Sequence, residues 1–206
     1  IPQVKTARLD HLVQLDHDLL DDLVARQQGA IFVTGHFGNW EMINLTLGRL
    51  GYPLVGVAVK QKGAGGRYVE WVREQTDARF IDRKASTREM LRLIKSGHFL
   101  GLVNDQDALR HGVRIEFFGQ PSSRFKGAAM FALQTGLPVV FGACLMGPGN
   151  RYKITFAPIS TDNLPDDRDE AIRELTQRIN SQLERAIKDH PEQYFWFHRM
   201  WKSQLQ

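Results

Sequence analysis

The sequence has a single cysteine, Cys144, among its 206 residues. This scarcity excludes an intramolecular disulfide framework and any zinc or iron–sulfur site built from several cysteines. Long apolar runs are also missing, because the longest, at residues 137–146, is well short of the ~20 residues that cross a bilayer. Residues 1–20 are too acidic and polar for a signal peptide. Since the chain begins with Ile1 rather than Met, we expect an upstream segment, with room for a targeting signal or membrane anchor.

The composition, with 42% hydrophobic and 24% charged residues, is typical of a globular protein with a buried core. The net charge is +4, and residues 60–95 carry ten basic but only five acidic side chains. A local basic surface favours an anionic partner, such as a phosphate group, an acidic carrier protein, a membrane or a nucleic acid. The alternative is a solvated helix face with no partner.

Strand and helix patterns alternate along the chain and predict an α/β protein with a largely parallel central sheet flanked by helices. We expect one layered domain, in which residues 1–29 form an N-terminal helical segment and residues 30–206 form the main body. The predicted strands cover residues 30–34, 54–59, 79–82, 99–104, 113–118, 138–145 and 152–156. The predicted helices cover residues 9–27, 39–50, 67–75, 86–95, 124–134 and 167–188. Active sites of such sheets lie at the carboxyl ends of the strands.

His36 is the strongest catalytic candidate, because it follows the apolar strand at residues 30–34. Asn39 is a suitable N-cap residue, which places Glu41 in the first turn of the next helix. A carboxylate bound to one imidazole nitrogen fixes the tautomer and makes the other nitrogen a better general base. The alternative is a histidine satisfied by local backbone groups beside a glutamate that stabilises the helix start.

These residues, Gly35-His36-Phe37-Gly38-Asn39-Trp40-Glu41, resemble the His-x4-Asp/Glu signature of the glycerophospholipid acyltransferase superfamily. The residues within this motif resemble those of the lipid A biosynthesis (lauroyl/myristoyl) acyltransferase branch, and also those of relatives that acylate phosphatidylinositol mannosides. Four further segments match in the expected order: Phe80-Ile81-Asp82-Arg83, Asn104-Asp105-Gln106-Asp107, Gly136-Leu137-Pro138-Val139-Val140, and the C-terminal run from Pro191 to Arg199. The resemblance covers residues 30–202 and identifies 30–206 as an acyltransferase catalytic domain.

The resemblance implies transfer of a fatty acyl chain from a thioester donor, acyl carrier protein or coenzyme A, to a hydroxyl of a glycolipid such as a lipid A precursor. In this reaction His36 takes the hydroxyl proton and Glu41 holds the imidazole, with no cofactor and no metal. The implied position is the cytoplasmic face of the bacterial inner membrane, peripheral or through an anchor, on an anionic membrane surface. The expected substrate-binding residues are Asn39, Arg83, Asp105, Gln106, Asp107, Arg124 and Lys126.

Several of these residues have a second interpretation. Arg83 is expected to bind a phosphate bidentately, but it could instead pair with Asp82 or Glu89. The two aspartates of residues 104–107 could simply form a turn; no His or Cys with ligand spacing stands near them, so a metal is not expected. Arg124 and Lys126 could meet an anionic head group at a helix start, or be solvated there.

Two other functional classes stay open. A thioesterase would use the same His36 and Glu41 pair on water. A non-catalytic module for anionic lipid or nucleic acid is compatible with the basic loop at residues 60–67, but no helix-turn-helix, RNA-binding aromatic block or zinc finger is evident, so nucleic acid is not an expected partner. The aromatic tail at residues 194–201 is expected to pack in the core, or to suit a membrane interface with Arg199 and Lys202.

Overall fold

A seven-stranded sheet organises the chain, and helices pack on both of its faces. The computed structural model describes residues 9–59, 63–74, 76–198 and 200–205. The strands are β1 (Val13–Leu15), β2 (Ala30–Thr34), β3 (Leu54–Ala58), β4 (Arg79–Asp82), β5 (Phe99–Val103), β6 (Val113–Phe117), β7 (Gln120–Arg124), β8 (Val139–Met146) and β9 (Tyr152–Ile159). The helices are α1 (Leu9–Leu12), α2 (Asp18–Ala25), α3 (Trp40–Arg49), α4 (Gly63–Glu74), α5 (Thr87–Lys95), α6 (Gly127–Thr135) and α7 (Arg168–Asp189).

The strand order in the sheet is β1-β9-β8-β2-β5-β3-β4. Strands β8, β2, β5, β3 and β4 run parallel to one another, whereas β9 is antiparallel to β8. Strands β6 and β7 form a separate antiparallel hairpin. The predicted fold class, one α/β domain with a largely parallel sheet, is confirmed. Five carboxyl ends therefore meet at one edge of the sheet.

Side chains alternate between two buried clusters, one on each face of the sheet. In β2, Phe32 joins the cluster beneath α2, α3 and α4. Its neighbours Ile31 and Val33 join the other cluster, which packs against α5, α6 and α7. A parallel strand buried on both faces has a continuous run of apolar residues. The positions of β2 and β5 could therefore be predicted from the sequence.

The predicted helix over residues 9–27 is wrong, because a short edge strand interrupts it. Strand β1 lies between α1 and α2 and pairs in parallel with β9, with Val13 opposite Tyr152. Val13 is buried and Gln14 is exposed, as expected for a strand with one covered face. Short apolar runs fit a helix or a strand equally well, so spacing alone could not separate the two.

The predicted helix start at Arg124 is also wrong. Residues 120–124 form β7, and α6 begins only at Gly127. Phe118 and Gly119, both at positive φ, form a two-residue loop that returns the chain from β6. This is the favoured geometry of a tight hairpin, but Phe-Gly lacks the Asn or Asp that makes such turns recognisable.

Candidate active site

His36 lies just beyond the carboxyl end of β2, in a tight loop that leads into α3. The neighbouring loop residue Gly38 has φ +58°, and a Cβ there would stand 2.1 Å from the Cys144 carbonyl oxygen. Only glycine allows this approach. The next amide, that of Asn39, donates to the same oxygen at 2.8 Å. The loop is therefore held against β8, and His36 is fixed above the sheet edge.

Asp105 is the carboxylate that holds His36. Strand β5 lies beside β2, so the residues after β5 meet the loop after β2. The Asp105 Oδ1 lies 2.8 Å from His36 Nδ1, and Oδ2 accepts the His36 backbone N–H at 2.8 Å. The Asp105 side chain is fully buried, and 18% of the His36 side chain is exposed. This arrangement places the proton on Nδ1 and leaves Nε2 free to act as a base, since no described residue hydrogen-bonds Nε2.

The ionised state of Asp105 is stabilised by its neighbours. Burial alone would raise the pKa of this carboxyl, but the hydrogen bond from the His36 ring, the charge of His36, its backbone N–H and the Tyr194 hydroxyl together hold that pKa below its usual value. A buried carboxylate beside an imidazole also stabilises the imidazolium that forms when the histidine takes a proton.

The predicted contact from Glu41 to the imidazole is wrong, because Asp105 occupies that position. Glu41 does lie in the first turn of α3, but there it faces α4. Its Oε1 and Oε2 accept from Nη2 and Nε of Arg73 at 2.6 and 3.3 Å. Arg73 also donates to Glu70 and stacks 4.1 Å from the centre of the Phe80 ring. Glu41 therefore ties α3 to α4 rather than orienting His36.

The C-terminal tail surrounds the His36 loop. The Tyr194 hydroxyl donates to Asp105 Oδ2 at 3.0 Å, and burial followed by the charge of Asp105 raises the pKa of Tyr194. The Phe195 amide donates to the His36 carbonyl at 3.0 Å, and the Gly38 amide donates to the Gln193 carbonyl at 2.8 Å. Tyr194 was not predicted as a site residue, because no local sequence pattern indicates that the C-terminal tail packs against the loop after β2.

His198 is a second histidine at the site. Its ring centre lies 4.2 Å from that of His36, and the Phe195 ring packs edge-on against it at 4.8 Å. Burial, and then the nearby His36, lower the pKa of His198. The neutral form of the His198 imidazole is therefore favoured beside His36. The neighbouring Arg199, predicted to suit a membrane interface, lies outside the described residues.

Two predicted substrate-binding residues are instead engaged inside the protein. Arg124 is fully buried; its Nε donates to Asn180 and its Nη1 to the Met200 carbonyl, and its guanidinium lies 4.5 Å from the Phe117 ring centre. Asp107 accepts from the Leu109 amide and from both the amide and hydroxyl of Ser203. Because strand β7 turns Arg124 inward, where it is fully buried, its expected contact with a head group is wrong. Asp107 is half-buried and ties a turn to the tail, and its contact with substrate stays a prediction.

The other predicted binding residues lie near the sheet edge. Arg83 is exposed, follows β4 and lines the cavity described below; within the described ranges it makes no ion pair, so the alternatives with Asp82 and Glu89 are not seen. Gln106 lines the same cavity. Lys126 is exposed at the N-cap position of α6. Asn39 is the N-cap residue of α3, but its side chain makes no capping hydrogen bond.

The predicted basic loop over residues 60–67 is partly helical. Helix α4 begins at Gly63, and Arg67 is exposed on it. Lys60, Gln61 and Lys62 lie outside the described residues. Arg73, one of the ten basic residues of 60–95, is paired with Glu41 and does not contribute a free charge.

A cavity of about 530 Å³ opens at His36 and extends beneath α3. Its mouth carries His36, Trp40, Arg83, Gln106 and Phe125. Its interior is mostly apolar, with side chains such as Phe32, Ile43, Leu54 and Phe80. Glu41, Arg73 and Asn44 also line it. A volume in the range of ordinary ligand sites with a mostly apolar interior is suited to a long apolar ligand with a polar end.

The family model for bacterial lipid A biosynthesis acyltransferases matches residues 3–203, nearly the whole chain. The chain belongs to this family. The resemblance found in the motifs is thereby confirmed, and the family's name gives acyl transfer as its chemistry.

Curated relatives include two kinds of acyltransferase. A phosphatidylinositol mannoside acyltransferase of Mycobacterium tuberculosis is 25% identical over 98% of this chain and 63% of its own length. Its namesake in Mycolicibacterium smegmatis is 23% identical over 100% of this chain and 67% of its own length. The lipid A biosynthesis lauroyltransferase of Escherichia coli is 24% identical over 98% of this chain and 65% of its own length. The chain thus spans about two thirds of the length of these relatives.

Across the described part of the chain, no helix combines the length and apolar character that a membrane crossing requires.

Proposed function

We propose that the protein transfers a fatty acyl chain from a thioester donor to a hydroxyl of a glycolipid of the lipid A or phosphatidylinositol mannoside type. The observation that carries this proposal is the His36–Asp105 pair at the mouth of an apolar cavity. The membership of the acyltransferase family supports it. The names of the relatives support both glycolipid types as acceptors.

In the proposed reaction, Nε2 of His36 accepts the proton of the acceptor hydroxyl as its oxygen bonds to the thioester carbonyl carbon. Asp105 stabilises the imidazolium that results. The tetrahedral intermediate then breaks the carbon–sulfur bond, and the leaving thiolate takes the proton from the imidazolium. The products are the ester and the free thiol, and no acyl–enzyme bond is required.

The cavity supports the placement of the donor. Its apolar interior suits the acyl chain, while Arg83 at the mouth offers a planar, doubly donating group to a phosphate of the donor or acceptor. Acyl carrier protein and coenzyme A are both anionic, which agrees with the exposed basic residues Arg83, Lys84 and Arg67.

We propose that the protein lies at the cytoplasmic face of the bacterial inner membrane, in contact with an anionic membrane surface. Exposed aromatic side chains stand beside the His36 loop, and they include Phe195, Trp196 and Phe197, the last 88% exposed. Aromatic residues are favoured at membrane interfaces. Such a surface would bring the cavity mouth to the lipid acceptor.

The test is incubation of the protein with radiolabelled acyl carrier protein thioester or acyl-coenzyme A and a panel of lipid acceptors, with His36→Ala as the control. We expect an acylated lipid from the wild type and none from the variant. Without acceptor, the donor should stay largely intact, because water is not held in the attacking position. Rapid donor cleavage without acceptor would overturn the proposal in favour of a thioesterase, and no reaction with any acceptor would remove it.

A further inference from the structure

The floor of the cavity has a gap in its side chains. In the sheet, Gly101 of β5 lies between Phe32 of β2 and Gly56 of β3, and Gly56 lies next to Phe80 of β4. Laterally paired residues of parallel strands present their side chains to the same face. Two adjacent strands therefore carry no side chain between the rings of Phe32 and Phe80. The result is a trough beneath α3 whose walls are aromatic.

The two glycines differ in what lies above them. A Cβ on Gly56 would stand 2.2 Å from Asn44 Nδ2 of α3, so that half of the trough is already filled. The atoms nearest to a Cβ on Gly101 would be Leu54 Cδ1 at 3.4 Å, the Gly56 Cα at 3.5 Å and the Val55 carbonyl oxygen at 3.7 Å. These are ordinary contact distances. The fold thus has room for a methyl group at position 101, and that room is part of the cavity.

Gly101 lies deep in the cavity relative to His36. Its partner Phe32 precedes His36 by four residues, which in extended chain is about 13 Å. Leu54 lies one side-chain row further from the mouth, because it precedes Gly56 by two residues on the same strand. An apolar chain that enters beside His36 and follows the sheet beneath α3 would pass over Gly101 and meet Leu54.

We propose that Gly101 and Leu54 determine the length of the acyl chain that the cavity accepts, by the absence of a side chain at Gly101 and the size of the side chain at Leu54. This inference rests on the proposed function for the identity of the ligand as an acyl chain. Gly101 keeps the floor open for the distal methylenes, and Leu54 forms the inner wall.

Calorimetric binding of decanoate, laurate, myristate and palmitate to the whole chain tests this inference without requiring acyl transfer. Gly101→Ala should weaken the longest chain that the wild type binds by ~10-fold or more and leave decanoate nearly unchanged, because one methylene in an apolar pocket is worth ~10-fold or more. Gly101→Val should move the limit to a still shorter chain. Leu54→Val should have the opposite effect and favour the longer chains.

Gly65→Ala is the matched control, since Gly65 is exposed on α4 and a Cβ there would meet nothing within 4 Å. Loss of affinity that is equal for all chain lengths in the Gly101 variants, or no loss at all, would overturn the inference. If Gly101→Val does not fold, Leu54→Val tests the inference by itself. An unchanged preference for chain length in Leu54→Val would also overturn the inference. Length-dependent binding without acyl transfer would instead contradict the proposed function and leave this inference intact.

Discussion

Two carboxylates near His36 come from two regions of the molecule, and their surroundings are opposite. Asp105, after β5, is fully buried and accepts three hydrogen bonds, two of them from His36. Glu41, in the first turn of α3, keeps 28% of its side chain exposed and pairs with Arg73. The residue that follows a neighbouring strand thus orients the histidine, and the residue nearer in sequence ties two helices together. Proximity along the chain was a poor guide to the partner.

The largest expected effect is that of Asp105→Asn. The amide cannot stabilise an imidazolium and favours the wrong tautomer, so kcat should fall ~10³-fold or more, as for an aspartate in a catalytic triad. Steady-state kinetics with the donor and acceptor that the incubation test selects would measure this. Asp107→Asn is the control, since Asp107 contacts a turn and the tail, and its loss should affect kcat far less. Equal losses in the two variants would show that Asp105 has no special role.

Tyr194→Phe should have a smaller effect in the same region. It removes one of the hydrogen bonds to a buried carboxylate, and a hydrogen bond to a charged group is worth about 1.5–3 kcal/mol. We expect kcat to fall ~10-fold with little change in KM, because the hydroxyl reaches the reaction only through Asp105. Tyr152→Phe on β9 provides a control remote from His36. A purely raised KM would assign Tyr194 to substrate binding instead.

Loss of the Glu41–Arg73 pair should mainly lower the free energy of unfolding and have little effect on kcat. Each of Glu41→Gln and Arg73→Met should lower the free energy of unfolding, and the double variant should lose less than the sum, with a coupling of about 1–2 kcal/mol. Urea denaturation of the four proteins measures this coupling. Additive effects would mean that the ion pair contributes nothing to stability. A loss of kcat in Glu41→Gln as large as that in Asp105→Asn would show that Glu41 takes part in the reaction.

The smallest expected effect concerns pH. Because the pKa of Asp105 is lower in the folded protein than its usual value of about 3.9, its ionised form stabilises the fold above that pH, and this stabilisation is lost as the pH falls through the folded-state pKa. The difference in unfolding free energy between the wild type and Asp105→Asn should therefore shrink below about pH 4. A difference that stays constant down to pH 2 would contradict the lowered pKa.

The sequence allowed the sheet edge to be predicted, but not which side chains meet there. Apolar runs marked β2 and β5, so polar residues after each strand were expected near the site. The adjacency of these strands could not be inferred, because β3 and β4 lie between them in the chain and outside them in the sheet. Asp105 was therefore predicted to bind substrate, and Glu41 was paired with His36.

Contacts between distant parts of the chain also could not be predicted from the sequence. Tyr194 and His198 reach the loop after β2 from the far end of the sequence, and no local pattern reports such a contact. Arg124 was misplaced for a local reason, since a hairpin closed by Phe118 and Gly119 lacks a recognisable turn signal. Arg124 was therefore predicted to bind substrate at a helix start, although strand β7 places it inside the protein, where it is fully buried.

The most direct test of the central claim is the tautomer of His36, read from the ¹⁵N NMR spectrum of the histidine-labelled protein at a pH where the ring is neutral, with His36→Ala used to assign its signals. The hydrogen bond to Asp105 predicts a proton on Nδ1 and a free Nε2 in the wild type. This pattern should persist in Glu41→Gln and disappear in Asp105→Asn. A proton on Nε2 in the wild type, or loss of the Nδ1 proton in Glu41→Gln, would contradict the claim that Asp105 orients His36.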